Sequence, residues 1–186
     1  MSCAIEETEI VSIGEGFLAC KFPGADFHHR EHLITTVYLL WTFRDRDWRS
    51  DLPDLIRHYN VSQGGQNTDT SGYHHTITLF YIDLVAKALA LEPHLDLVRF
   101  CRKVLDGPAS TKDLMLRYYS RKLLYSVEAR KYSIQPDKGD VDFESLLAVD
   151  DRQPPPALTG DGEAGCRVAR IPEASTSPAV QIRQRI

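Results

Sequence analysis

No stretch of this 186-residue chain approaches the roughly 18 apolar residues in a row that a membrane-spanning helix needs. A membrane partner is therefore not expected. There is no basic excess either. The chain has 22 Lys and Arg against 26 Asp and Glu, whereas a protein that grips phosphate backbones shows clustered positive charge. Nucleic acid is set aside on that ground. Cysteine is scarce, and Cys3, Cys20, Cys101 and Cys166 are far apart. Neither a zinc-thiolate knuckle nor a disulfide scaffold is expected, and reduced thiols point to a cytoplasmic protein. The acidic start, Met1 to Glu9, lacks the charged-then-apolar order of a secretory leader. No segment alternates apolar and polar residues between hairpin turns, so strands are not expected.

Helical spacing is what the sequence has. It predicts helices over 5–20, 28–43, 51–61, 71–91, 94–105 and 111–132. Leu33, Val37, Leu40 and Trp41 share one face of the second. Asp51 is the expected cap of the third, with Pro53 in its first turn. The fourth is apolar almost all round, with Asp83 and Lys87 placed as an i,i+4 pair. Ser110 is the expected cap of the last. The fold class is all-α, a compact bundle of about five helices over residues 1–140. Beyond 140 the only aromatic is Phe143, followed by Pro154-Pro155-Pro156, several glycines and a Ser/Thr/Pro run. Such a segment cannot bury enough apolar surface to offset chain entropy. Residues 141–186 are expected to be a mostly disordered tail.

All seven histidines lie between His28 and His94, and five of them gather in two places. In Phe27-His28-His29-Arg30-Glu31-His32-Leu33, His29 and His32 are i,i+3 neighbours pointing the way the core side chains point. In Ser71-Gly72-Tyr73-His74-His75-Thr76, His74 opens the fourth helix, where the positive helix end favours neutral imidazole. Neutral imidazoles from two helices are what a divalent transition metal (Zn, Fe or Mn) takes as ligands. His29, His32 and His74 are the expected metal ligands, three with a position open for chemistry. His75 and Glu31 are the candidate catalytic groups for proton transfer. Arg57, Asn67, Thr68 and Tyr73 are the candidate substrate-binding residues, within a polar rim that also includes Asn60, Gln63 and Asp69. The bland alternative is that each histidine is a hydrogen-bonded core residue and the loop polar groups merely form turns. His28-His29-Arg30-Glu31-His32 also fits the H-x-x-E-H box of inverted zinc peptidases, but so short a match in a His-rich segment arises easily by chance.

The two His segments, with Tyr118-Tyr119-Ser120-Arg121, Ser126, Ala129-Arg130 and Pro136-Asp137, resemble a family of small, uncharacterised bacterial proteins. Its pattern is an aromatic, then H-x-x-H-L, then N-T and G-Y-H-E-T-x-T. The resemblance spans about residues 10–140. It implies a shared site at His29, His32 and His74, and it marks one departure: the Glu after the G-Y-H histidine is His75 here. Two functions follow as expectations. One is an enzyme acting on a small molecule in a His-lined pocket, with a metal as cofactor. The other is a non-catalytic helical module that binds a small ligand or a protein partner.

Overall fold

The computed structural model describes residues 5–148. Five helices form the body: α1 (Glu7–Leu18), α2 (His29–Thr42), α3 (Trp48–Ser62), α4 (His75–Leu91) and α5 (Leu97–Asp106). Three short ones follow, α6 (Arg121–Leu124), α7 (Val127–Lys131) and α8 (Phe143–Leu147). Among the described residues there is no strand, and no helix is long and apolar enough to cross a membrane. The all-α class stands.

Helix α2 is the axis of the bundle. Every residue from Leu33 to Leu40 is buried, because α1, α4 and α5 pack around it. Leu33, Ile34 and Leu39 join Ile10 and Phe17 of α1, Leu84 and Val85 of α4 and Phe100 of α5 in one core. Each such side chain contributes roughly 1.5–3 kcal/mol by leaving water. A threonine survives in this apolar stretch because the Thr36 hydroxyl donates to the His32 carbonyl one turn back, at 2.9 Å. That bond also fixes the segment on which His32 stands.

Capping explains where the helices depart from the expected bounds. Helix α3 starts at Trp48, because the Asp47 carboxylate accepts the amide N–H groups of Arg49 and Ser50. Asp51 is not the cap, and Pro53 lies inside the helix. Helix α4 starts at His75, with His74 as its cap. Asp96 caps α5 by accepting from the Arg99 amide at 2.8 Å.

The single long helix over 111–132 does not form. Residues Pro108–Ser110 and Leu114–Arg117 are 3-10 turns, followed by α6 and α7. Ser110 caps nothing; its hydroxyl donates to the Gly107 carbonyl at 2.9 Å. Ser120 and Ser126 do the capping instead. Both have extended backbone, and their side chains accept the amide N–H groups of Leu123 and Ala129. The Ser120 amide donates to Asp137 Oδ1 at 2.6 Å, so it is not available to continue a helix from upstream.

Two further expectations are corrected. Asp83 and Lys87 do not pair with each other. Asp83 pairs with Arg49 of α3, and Lys87 pairs with Glu144 of α8 at 2.8 Å. The domain also runs past 140, since one compact unit extends to Ala148. Phe143 packs its ring against Phe80 at 5.3 Å, and Leu146 and Leu147 lie against the core. A lone aromatic with two leucines suffices to dock one turn of helix. The expected tail from 149 to 186 lies outside the described residues.

Candidate functional site

A cavity of about 430 Å³ opens where the first turns of α2 and α4 face α3 and the loop after it. His29, His32, His74 and Tyr73 line it, with Phe27, Leu33, Tyr59, Ile77 and Ile82 supplying apolar wall. The three histidines singled out in the sequence therefore do share one pocket. Their nitrogens are not equivalent.

His74 is occupied with structure. Its Nε2–H donates to the Leu124 carbonyl at 2.8 Å, and its Nδ1 accepts the Ile77 amide at 3.4 Å. A carbonyl can only accept, so the ring is the neutral Nε2–H tautomer with both nitrogens engaged. Its pKa is lowered, as expected for a neutral ring, but burial is the main cause rather than the helix end. His29 donates Nε2–H to the Ala109 carbonyl at 2.9 Å and meets Tyr81 edge-on at 5.2 Å. Among the described residues its Nδ1 has no hydrogen-bond partner.

His32 differs from both. Its ring packs edge-on against Phe27 at 4.4 Å, and among the described residues neither nitrogen has a hydrogen-bond partner. The ring is exposed to solvent at the pocket mouth. The protein packed behind the ring strips part of its hydration and, reinforced by His29 nearby, pushes its pKa down to about 4. His32 is a neutral imidazole with a donor and an acceptor both open to the cavity.

The three imidazoles are thus not a ligand set as they stand. His74 has no nitrogen left to give, and among the described residues no three His, Cys, Asp or Glu side chains are placed to hold one ion.

The remaining expected site residues divide. Tyr73 lines the pocket, and its hydroxyl shares a hydrogen bond with Nδ1 of His75 at 2.7 Å. Burial pushes the Tyr73 phenol up to about 12, opposed by Arg57, whose guanidinium lies over the ring at 4.0 Å. Burial lowers the pKa of His75, helped by Arg57 and Arg49. His75 and Arg57 stand behind Tyr73 rather than in the wall itself. Arg57 also pairs with Asp54 at 2.7 Å. Glu31 is elsewhere: its carboxylate accepts the His28 amide at 3.1 Å and pairs with Arg30. It lines a separate surface cleft with His28 and Arg102, so its catalytic assignment is corrected to helix capping.

Asn67 and Thr68 build the loop rather than contact the cavity. Asn67 Oδ1 accepts from Asn60 Nδ2 and from the Tyr73 amide, and its Nδ2 donates to the Arg57 carbonyl, each at 3.0 Å. Thr68 Oγ1 accepts the Ser71 amide at 3.0 Å. Gly72 has φ of +76°, and a Cβ there would lie 2.3 Å from the Gln66 carbonyl oxygen. Only glycine fits that place. Arg130 of α7 closes the arrangement by donating to the carbonyls of Gly72 and Tyr73, each at 3.0 Å. The Thr76 hydroxyl donates to the Tyr132 carbonyl at 2.6 Å and accepts the Ile134 amide at 3.3 Å. Most of the second His segment therefore serves to hold one loop and one helix start against α7.

Sequence reasoning missed Thr36 and Thr78, which line the pocket. They stand one helical turn beyond His32 and His74, and that i+4 spacing was the available signal. Tyr59 reaches the pocket from α3, its hydroxyl donating to the Phe22 carbonyl at 2.9 Å. No spacing in the sequence links it to the histidines. Asn60 and Gln63 do line the pocket, as the rim expected; Asp69 does not, pairing with Lys131 at 2.7 Å instead. In comparison with known proteins, no family model, no curated protein and no solved structure matches this chain.

Proposed function

We propose that this protein binds a small molecule in the His32 pocket. The observation that carries the reading is the contrast among the three imidazoles. Two are tied to backbone carbonyls, while His32 keeps both nitrogens free at a solvent-reachable wall of a cavity of about 430 Å³. Pockets of that order hold small ligands, with a few polar groups that set orientation. Recognition suits His32 better than proton abstraction. A base whose conjugate acid has a pKa of about 4 is a weak acceptor at neutral pH. The reading leaves out a metal held by all three imidazoles, because His74 has no nitrogen to contribute.

A second reading, an enzyme, is supported by one observation. Tyr73 lines the cavity, and its hydroxyl is 2.7 Å from Nδ1 of His75, which is partly open to solvent. A phenol paired with an imidazole can pass a proton between ligand and bulk water.

Thr78→Trp tests the first reading, since an indole there would fill the cavity. A panel of uncharged monocyclic fragments is followed by ligand-observed NMR. The expected result is binding to the wild type that is lost in the variant. Equal binding by both would refute the pocket as the ligand site. For the enzyme reading, turnover of a bound fragment that falls in Tyr73→Phe with binding retained is the supporting outcome.

A further inference from the structure

The chemistry of the cavity wall narrows what can enter it, an argument that rests on the pocket being a ligand site. Among the described residues no Lys, Arg, Asp or Glu lines the cavity. The nearby charges are engaged elsewhere: Arg57 pairs with Asp54 at 2.7 Å, and Arg130 holds the Gly72 and Tyr73 carbonyls at 3.0 Å. An ion entering such a site gives up hydration and finds no counter-charge, an unfavourable exchange. The rings of Phe27, Tyr59 and Tyr73 give the wall flat apolar faces, with Phe27 and Tyr59 at 4.7 Å between centroids. Aromatic faces of this kind favour a ring over a flexible chain. Within this apolar frame, neutral His32 offers one N–H donor and one nitrogen acceptor, neither used by the protein.

We infer that the pocket selects an uncharged, ring-bearing molecule that carries an amide-type group, which can accept from or donate to one His32 nitrogen. Binding of such a molecule leaves no charge unpaired, and it supplies one hydrogen bond that the protein does not give to His32, the other nitrogen staying with water. An acid or an amine of the same size is rejected by the missing counter-charge rather than by shape.

The test uses the full chain near neutral pH with four probes of similar size: benzamide, benzoate, benzylamine and ethylbenzene. Benzamide is expected to bind at least roughly tenfold more tightly than benzoate or benzylamine, the step that 1.4 kcal/mol gives. His32→Phe keeps an aromatic ring beside Phe27 and removes both nitrogens. It is expected to weaken benzamide by roughly tenfold or more and to leave ethylbenzene unchanged, which also reports that the pocket still folds. His32→Gln, which restores a donor and an acceptor, is expected to recover part of the benzamide binding. Benzoate or benzylamine binding as tightly as benzamide would overturn the selection for uncharged ligands. Unchanged benzamide binding in His32→Phe would overturn the role of His32. Failure of both benzamide and ethylbenzene to bind the wild type would instead remove the pocket reading itself.

Discussion

His74 and Leu124 lie 50 residues apart in the chain, yet the imidazole Nε2 and the backbone carbonyl oxygen are 2.8 Å apart in the fold. The same ring caps α4 through its other nitrogen. One side chain thus starts the helix that carries Ile77 and Thr78 into the pocket and fastens the end of α6 against it. His74→Ala removes the cap and leaves a carbonyl without its partner, so it should cost roughly 2–4 kcal/mol of stability. His74→Asn keeps a capping side chain but is too short to reach Leu124, so it should fall between wild type and alanine. Urea denaturation of the three proteins measures the order. An asparagine variant as stable as wild type would mean that the Leu124 bond contributes nothing.

Acid should loosen this protein through its histidines. His32, His74 and His75 all have pKa values lowered by burial. Below the ordinary value of 6.5 the unfolded chain binds protons that the folded rings resist, so stability falls as pH falls. The contribution is fully present above 6.5 and, for His32, is lost progressively as pH drops through the window from 6.5 to about 4. Thermal melts over that range should show a slope that becomes shallower in His32→Phe. An unchanged slope would show that His32 does not hold its neutral form in the folded state.

Gly64 and Gly72 both have positive φ, +81° and +76°, but only one is crowded. A Cβ at Gly64 meets nothing within 4 Å, whereas at Gly72 it meets the Gln66 carbonyl and the side chains of Asn60 and Asn67. Gly64→Ala should cost about 1 kcal/mol, the strain of a left-handed alanine alone. Gly72→Ala should cost clearly more and disturb the pocket wall. Equal losses in denaturant titration would contradict the role given to the Asn60–Asn67 bond.

Arg130 holds two carbonyls of the loop that carries Tyr73. Arg130→Gln should raise amide hydrogen exchange over residues 66–73 while leaving the core of α2 protected. Exchange that rises evenly across the chain would instead mark Arg130 as a general stabiliser.

The parts of the fold that follow from local spacing were legible. Helices α1, α2, α4 and α5 follow apolar periodicity, and the i,i+3 step from His29 to His32 put both on the pocket side. The broken segment after Ser110 was not legible, because its serines cap only once Asp137 takes the Ser120 amide from 17 residues away. For the pocket, the sequence singled out three histidines that line one cavity but not their hydrogen-bonded state. What separates His32 from His29 and His74 is the pair of carbonyls at Ala109 and Leu124, 80 and 50 residues distant. Contacts of that separation leave no periodic trace. Glu31 misled for a related reason, since its spacing from His28 served a helix end rather than a reaction.

The most direct measurement is an NMR titration of the histidine ring signals, with and without benzamide. The account predicts that His32 titrates far below 6.5, near 4, and shifts when benzamide is added. It predicts that His74 stays in the Nε2–H tautomer throughout the neutral range and barely responds. A His32 that titrates near 6.5 and ignores benzamide, or a His74 that responds in its place, would contradict the central claim.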